Sequence, residues 1–208
     1  THFYSRQPPQ HRDFANRPNE HFLGVEMTER FLESLEPLRG RLGPVMFQFE
    51  YLSTAKVPSP AAFFESLDRF LGDLPGGYQY AVEIRNGNYI GDEYFALLRR
   101  HHVGVVLLDG YRMPAPGRIF DHYNVRTADF MVLRLHGPDR AGIERITKKK
   151  WSRIVQPQER GVREAASMVR RNTTEFVTTF VNVNNHYEGS APLTIERFLD
   201  ALRAEDRK

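Results

Sequence analysis

Residues 103–108 (VGVVLL) and 130–135 (FMVLRL) decide the fold class, because every residue of the two runs except Gly104 and Arg134 has a large apolar side chain. Three more runs of this kind stand at residues 44–49 (PVMFQF), 78–84 (YQYAVEI) and 176–183. Strands that are apolar along nearly their whole length are typical of parallel sheets, in which both faces are covered. The five runs therefore predict five strands of a parallel sheet.

Amphipathic stretches separate these runs. Residues 60–74 carry large apolar side chains at helical spacing, and residues 92–101, 158–171 and 192–204 show the same periodicity. Asn19 is expected to cap a further helix that continues through Leu35. Strands that alternate with helices predict an α/β fold, and the pattern leaves a barrel and an open sheet as alternatives.

The composition is that of one globular domain. The chain has 208 residues, of which 40% are hydrophobic and 26% charged, and this argues against a disordered, collagen-like or coiled-coil protein. Residues 1–18 are predicted to be a polar, proline-rich loop. No apolar run in the sequence has the roughly 18 residues of a membrane span. A membrane partner is therefore not expected.

Two further counts bear on location and partners. The sequence contains no cysteine, which excludes disulfides, thiolate metal ligands and cysteine nucleophiles and favours a cytoplasmic location. The 29 basic and 26 acidic residues leave a net charge of +3, which is too small to indicate a partner.

Polar side chains follow each predicted strand. Ligands of parallel α/β proteins bind at the carboxyl ends of the strands, so these residues predict a functional site along one edge of the sheet. The alternative is that each of them only marks where a strand meets solvent. The set comprises Gln48, Glu50, Glu83, Arg85, Asn86, Asp109, Arg134, His136, Asn182, Asn184 and Asn185.

Charge and spacing suggest roles for four of these residues. Glu83 and Arg85 lie two apart and face the same side of a strand, so they are expected to pair. Arg85 and Arg134 are candidates to hold a phosphate or a carboxylate, with a purely structural ion pair as the alternative. His136 is the best candidate for a general acid or base, although a lone histidine is more often a hydrogen-bonded structural residue.

A divalent metal is left open. Glu50, Glu83, Asp109 and His136 are sufficient in number to ligate one, but no local signature such as HExxH supports such a site.

Five segments carry a resemblance to a known family. They are GPVMFQFE at 43–50, YAVEIRNGNY at 80–89, HHVGVVLLD at 101–109, ADFMVLRLHG at 128–137 and VNVNNHYEGSAPLTIERF at 181–198. Their order and spacing resemble the family known as domain of unknown function 72 from about residue 19 to residue 202. The resemblance implies a TIM-type (β/α) barrel whose last five of eight strands are visible. The chain is then expected to be a fragment that lacks the N-terminal strands of a longer protein, with an open barrel as the alternative.

The resemblance also marks positions, although the family has no assigned activity. The matching residues are Glu83, Arg85, Arg134, His136, Asn184, Asn185, Glu188 and Gly189. Residues 182–189 lead to a helix predicted near Pro192, and barrels commonly bind phosphate at such a helix N-terminus. The alternative is a loop whose asparagines only cap turns.

Two functions follow from these residues. The first is an enzyme for a phosphate-bearing substrate, of the phosphodiester-hydrolase or sugar-phosphate-isomerase type, in which Glu83 or His136 moves a proton and a divalent metal assists. The second is a protein that binds nucleic acid or a nucleotide without catalysis. Its contacts would come from Arg99, Arg100, Lys148, Lys149, Lys150, Arg170 and Arg171, with Tyr111, Tyr187 or Trp151 for stacking.

Overall fold

The computed structural model describes residues 2–3 and 18–204, and its chain separates into two compact units, Thr1–Val103 and Gly104–Lys208. Each unit contains parallel strands that alternate with helices, which confirms the α/β fold. Most of the predicted loop at residues 1–18 lies outside the described residues. Among the described residues, no helix is both long enough and apolar enough to cross a bilayer.

The first unit contains two parallel strands and three α-helices. The elements are α1 (Val25–Leu35), β1 (Val45–Gln48), α2 (Pro60–Gly72), β2 (Tyr80–Glu83) and α3 (Asp92–Arg100), with 3-10 turns at Glu36–Arg41 and Gly87–Tyr89. Helix α2 begins where the Ser59 hydroxyl accepts a hydrogen bond from the Ala62 N–H at 3.2 Å. Its fully buried Phe63 and Leu67 confirm the predicted apolar face.

The start of α1 differs from the prediction. Gly24 directly precedes the helix, whereas the Asn19 side chain accepts a hydrogen bond from the His21 N–H in a turn ahead of it. Leu23 has φ 57°, a left-handed value that cannot continue a right-handed helix. The prediction that Asn19 caps this helix is therefore wrong.

The second unit contains three strands and four helices. They are β3 (Gly104–Gly110), α4 (Pro116–His122), β4 (Phe130–Gly137), α5 (Arg140–Thr147), α6 (Glu159–Thr174), β5 (Thr178–Val183) and α7 (Ala191–Ala204). Strand β4 lies between β3 and β5 and is parallel to both. The sequence did not predict α4 and α5. Because α5 ends at Thr147, Lys148 directly follows a helix, and the connection from β4 to α6 is not a simple loop.

Helix α6 defines the two faces of this three-stranded sheet. The Asn172 amide of α6 contacts Met131 Sδ at 2.6 Å and donates to Thr179 Oγ1 at 2.8 Å, so Met131 and Thr179 lie on the α6 face. Side chains alternate along a strand, and this places Arg134 and His136 on the opposite face of β4. Arg134 pairs in register with Asn182 of β5, which therefore shares that face.

Candidate functional site

Arg134, His136 and Asn182 form a polar group at the carboxyl ends of β4 and β5, on the face opposite α6. Arg134 and His136 are half-buried, whereas their strand neighbours Leu133 and Leu135 are fully buried. Asn182 stands beside Arg134 and is exposed. The structure thus brings together three of the residues that the sequence singled out.

Two glycines let the strand ends approach each other next to this group. Gly110 pairs with Gly137, and a Cβ at Gly110 would lie 2.7 Å from the Gly137 carbonyl oxygen and 3.3 Å from His136 Cβ. Gly137 has φ 87°, and a Cβ there would lie 2.5 Å from the His186 carbonyl oxygen. Backbone in the left-handed region favours glycine, so Gly137 allows the chain to turn sharply at the end of β4.

An exposed aromatic side chain stands beside His136. The Tyr111 and His136 ring centroids are 5.4 Å apart, and Tyr111 is 41% exposed. Tyr111 and Arg112 have φ values of 51° and 61°, so two consecutive non-glycine residues adopt left-handed backbone. Such strained positions are concentrated at functional sites.

Asp109 does not join Arg134 and His136. It pairs with Leu135 in register and therefore faces α6, where its Oδ2 accepts a hydrogen bond from the Tyr187 hydroxyl at 2.9 Å. Burial raises the pKa of Asp109, a hydrogen bond from Tyr187 opposes this, and the negative charge of Glu164 adds to it. Asp109 therefore lies on the face opposite Arg134 and His136, and its ligand-binding role stays a prediction.

The sequence did not identify a second polar cluster, which surrounds His186. The imidazole Nδ1 contacts Asn184 Oδ1 at 2.5 Å, Nε2 contacts Glu144 Oε1 at 2.9 Å, and the ring packs edge-on against Trp151. Hydrogen bonds from Arg140 and His186 hold the pKa of Glu144 below its ordinary value. The signal for His186 was its place in the polar NNHYEG run, whereas nothing in the sequence marked Glu144.

The loop after β5 uses its polar groups to hold other segments. Asn185 Oδ1 accepts a hydrogen bond from the Ala191 N–H at 2.8 Å and so occupies a donor at the start of α7. Glu188 is fully buried, and its carboxylate accepts from the Gln158 N–H at 2.6 Å and lies 3.3 Å from Arg197 Nε. These contacts are typical of structural residues.

Gly189 belongs to the same loop. It is buried with φ 116°, and a Cβ there would lie 2.7 Å from the Arg153 carbonyl oxygen. The substrate-binding roles of Asn184, Asn185, Glu188 and Gly189 stay predictions.

In the first unit, Glu83 and Arg85 pair as the sequence predicted. Arg85 Nε donates to Glu83 Oε1 at 3.1 Å, the Glu83 side chain is fully buried, and Glu83 lies opposite Gln48 in the register of β1 and β2. A catalytic role for Glu83 and ligand-binding roles for Gln48 and Arg85 stay predictions.

Asn86 follows β2 and holds the loop after β1. Its side-chain amide accepts from the Leu52 N–H and donates to the Leu52 carbonyl oxygen, both at 2.8 Å.

Glu50 is held by three neighbours. Burial alone would raise the pKa of Glu50, but hydrogen bonds from Lys56, from the Phe3 N–H and from His2 lower it to about 2.

The described residues form no metal-binding group, and three of the arginines predicted to contact nucleic acid have partners within the protein. Among residues 2–3 and 18–204, no group of three or more histidine or carboxylate side chains is placed to hold a metal ion. Arg100 pairs with Asp68, Arg171 pairs with Asp121, and Arg170 donates to the Ala201 and Leu202 carbonyl oxygens.

Tyr187 is only 1% exposed, so the prediction that it is available for stacking is wrong.

Comparisons with known proteins agree on the family and the fold. A family model described as "Protein of unknown function DUF72" matches residues 10–208, and the sequence matches no curated protein. A crystal structure of a DUF72 family protein from Thermotoga maritima is similar with TM-score 0.59 and 23% identity, over 86% of this chain and 65% of that one. The chain therefore spans less than two thirds of that protein.

Two crystal structures of a DUF72 family protein from Enterococcus faecalis are also similar, each with TM-score 0.59 and 20% identity. The matches cover 86% and 89% of this chain and 66% and 73% of those chains. At these identities the likeness shows the fold.

Proposed function

We propose that this chain, which belongs to the family described as protein of unknown function DUF72, is an enzyme that acts on a phosphate-bearing substrate. The reaction is of the phosphodiester-hydrolase or sugar-phosphate-isomerase type, and the site lies at the carboxyl ends of β4 and β5. The observation that carries the proposal is the register pairing of Arg134 with Asn182, with His136 two residues further along the same face.

Arg134 holds the anion in this proposal. A guanidinium presents a planar fork of N–H donors that matches two phosphate oxygens, and such charge-assisted bonds are stronger than neutral ones. Arg134 is half-buried, and partial burial strengthens its attraction for an anion relative to a fully solvated arginine. The Asn182 amide stands beside it on β5 and supplies a further donor.

His136 moves the proton. Histidine is the side chain whose ordinary pKa suits proton transfer near neutral pH, and His136 lies on the same face as the anion-binding arginine. In a hydrolase it takes a proton from the attacking water, and in an isomerase it shuttles one between neighbouring carbons. The Tyr111 ring lies beside the imidazole, with ring centroids 5.4 Å apart.

The experiment combines ligand-induced thermal stabilisation with turnover. Wild type is heated with inorganic phosphate, sugar phosphates and nucleotides, and is assayed against a chromogenic phosphodiester and against sugar phosphates. His136→Ala is expected to lower turnover about 100-fold or more while phosphate still stabilises the protein. Arg134→Gln is expected to lose most of the stabilisation by phosphate, and Arg134→Lys to retain part of it because the charge remains.

Arg118→Gln is the matched control, because Arg118 is an exposed arginine of α4 in the same unit. It should behave as wild type in both assays. Equal phosphate stabilisation of wild type and Arg134→Gln would contradict the proposal. So would a turnover that is unchanged in His136→Ala.

A further inference from the structure

The segment between α5 and α6 carries the densest group of positive charge in the second unit. Residues 145–153 (RITKKKWSR), here named the basic segment, contain five cationic side chains, and no acidic residue occurs from 145 through 158. Arg145, Lys148, Lys149, Lys150 and Arg153 are all exposed. None of their side chains forms an ion pair or hydrogen bond with another residue in the described part of the chain.

The basic segment is held in a defined position. Trp151 packs against His186 with ring centroids 5.0 Å apart. Val155, two residues beyond the segment, donates its N–H to the Glu188 carbonyl oxygen at 2.7 Å. Lys148 and Lys149 adopt left-handed φ values of 49° and 60°. The contacts of Trp151 and Val155 hold this strained backbone against the loop after β5, so the charges of the segment lie at defined positions on the surface.

The basic segment also lies near the proposed phosphate site. Its Trp151 packs against His186, and a Cβ at Gly137 would lie 2.5 Å from the His186 carbonyl oxygen. Gly137 directly follows His136, whose ring centroid lies 5.4 Å from that of Tyr111. A short series of neighbouring residues thus connects the segment to the exposed aromatic ring at the strand ends.

We propose that the basic segment binds a single-stranded nucleic acid, whose phosphates contact Lys148, Lys149 and Lys150 while one base stacks on Tyr111. This inference rests on the proposed function and names its substrate class, a polymer with several phosphates. Single strands bind to surfaces on which exposed cations lie near an exposed aromatic ring. The phosphates pair with the cations, and every base offers a π-face that can stack on the ring.

An anionic membrane also attracts cations, but the side chains of the basic segment suit a membrane surface less well than a nucleic acid. Ile146, at 54% exposure, is its one exposed large apolar side chain in the described structure, whereas Trp151 is turned onto His186. Membrane-surface segments combine cations with a wide apolar face that inserts among the lipids.

The test measures fluorescence anisotropy of a labelled oligothymidine of about 20 nucleotides, which offers stacking bases without sequence preference. Wild type should bind with an affinity that falls steeply between about 50 and 200 mM salt. The triple variant Lys148→Gln/Lys149→Gln/Lys150→Gln should bind at least about tenfold more weakly. Its log–log salt slope should be smaller by about 2, which is 0.7 per lost phosphate contact.

Three further variants keep the result interpretable. Arg41→Gln/Arg118→Gln/Arg163→Gln removes the same charge from exposed sites elsewhere and should bind within about twofold of wild type. Arg145→Gln/Arg153→Gln leaves the two left-handed residues untouched and should also weaken binding, which guards against misfolding of the triple variant. Tyr111→Ala should weaken binding about tenfold with an unchanged salt slope.

Three outcomes overturn the inference. They are absence of binding by wild type, equal losses in the lysine triple and its arginine control, and lysine-dependent binding to phosphatidylserine vesicles without binding to the oligonucleotide. The proposed function fails separately. If the oligonucleotide binds but Arg134→Gln and His136→Ala change neither phosphate stabilisation nor turnover, the enzyme proposal is wrong. If Arg134→Gln loses phosphate stabilisation and His136→Ala loses turnover, but no oligonucleotide binds, only the nucleic-acid inference is wrong.

Discussion

Gly137→Ala is the substitution whose cost the structure defines most sharply. The residue has φ 87°, and an added Cβ would meet two backbone atoms, the His186 carbonyl oxygen at 2.5 Å and Tyr187 Cα at 2.9 Å. Left-handed backbone costs alanine about 1–2 kcal/mol, and overpacking against groups that cannot rotate away adds about 1–3 kcal/mol. We therefore expect the free energy of unfolding to fall by about 2–5 kcal/mol.

Urea-induced unfolding followed by circular dichroism measures this loss. Gly76→Ala is the matched control, because its Cβ would meet nothing within 4 Å and its φ is not left-handed. It should leave stability within about 0.5 kcal/mol of wild type. A Gly137→Ala protein as stable as Gly76→Ala would refute the claim that the end of β4 and the loop after β5 are in backbone contact.

Three further substitutions test contacts outside the group of Arg134, His136 and Asn182. Glu50→Gln should destabilise the protein by about 1–2 kcal/mol near neutral pH, since a pKa of about 2 instead of 4.5 sets an upper limit of about 3 kcal/mol that partial exposure reduces. The folded pKa is lowered, so this difference from wild type should shrink as pH falls from about 5 toward 2, and a constant difference in urea unfolding would contradict the assignment. Tyr187→Phe should cost about 1–3 kcal/mol in the same assay, because the half-buried Asp109 carboxylate loses its 2.9 Å donor, and unchanged stability would show that the bond is absent. Asn86→Ala should cost about 2–4 kcal/mol, since it leaves the Leu52 N–H and carbonyl without their partner, and a loss below about 0.5 kcal/mol would contradict that account.

Hydrophobic periodicity was enough to predict five strands and four of the later helices, but it did not reveal α4 and α5. Helix α4 has seven residues, fewer than two full turns, so its apolar positions repeat too seldom to form a pattern. Helix α5 includes Gly142, which weakens a helical prediction although the Asp139 side chain caps its N–H here.

The face on which a strand-end side chain stands was readable only in part. In β4 the polar Arg134 and His136 alternate with buried leucines, so the sequence shows that they share a face. In β3 both faces are apolar, so nothing in the sequence indicates that Asp109 turns toward α6. The close approach of Gly161 to the Tyr187 hydroxyl is a tertiary contact that no local pattern reports.

The contacts of the polar residues in the loop after β5 could not be predicted from the sequence either. Its asparagines and Glu188 were predicted as ligand groups because polar residues at a strand end have that role in many α/β proteins. In the structure Asn185 accepts a hydrogen bond from the start of α7, and Glu188 accepts one from the Gln158 N–H 30 residues earlier in the chain; no local pattern indicated these contacts. Whether a polar side chain faces solvent or a distant backbone group depends on long-range packing, which a single sequence does not contain.

Nuclear magnetic resonance of labelled protein tests whether Arg134 and Asn182 bind a phosphate group beside His136. Inorganic phosphate and a sugar phosphate are titrated while backbone and side-chain resonances are followed. We expect saturable shifts concentrated at these three residues and at Gly137, which lies beside them. Shifts confined to Glu83 and Arg85, or to Ser190 and Ala191 at the start of α7, would contradict the claim, as would the absence of any saturable shift.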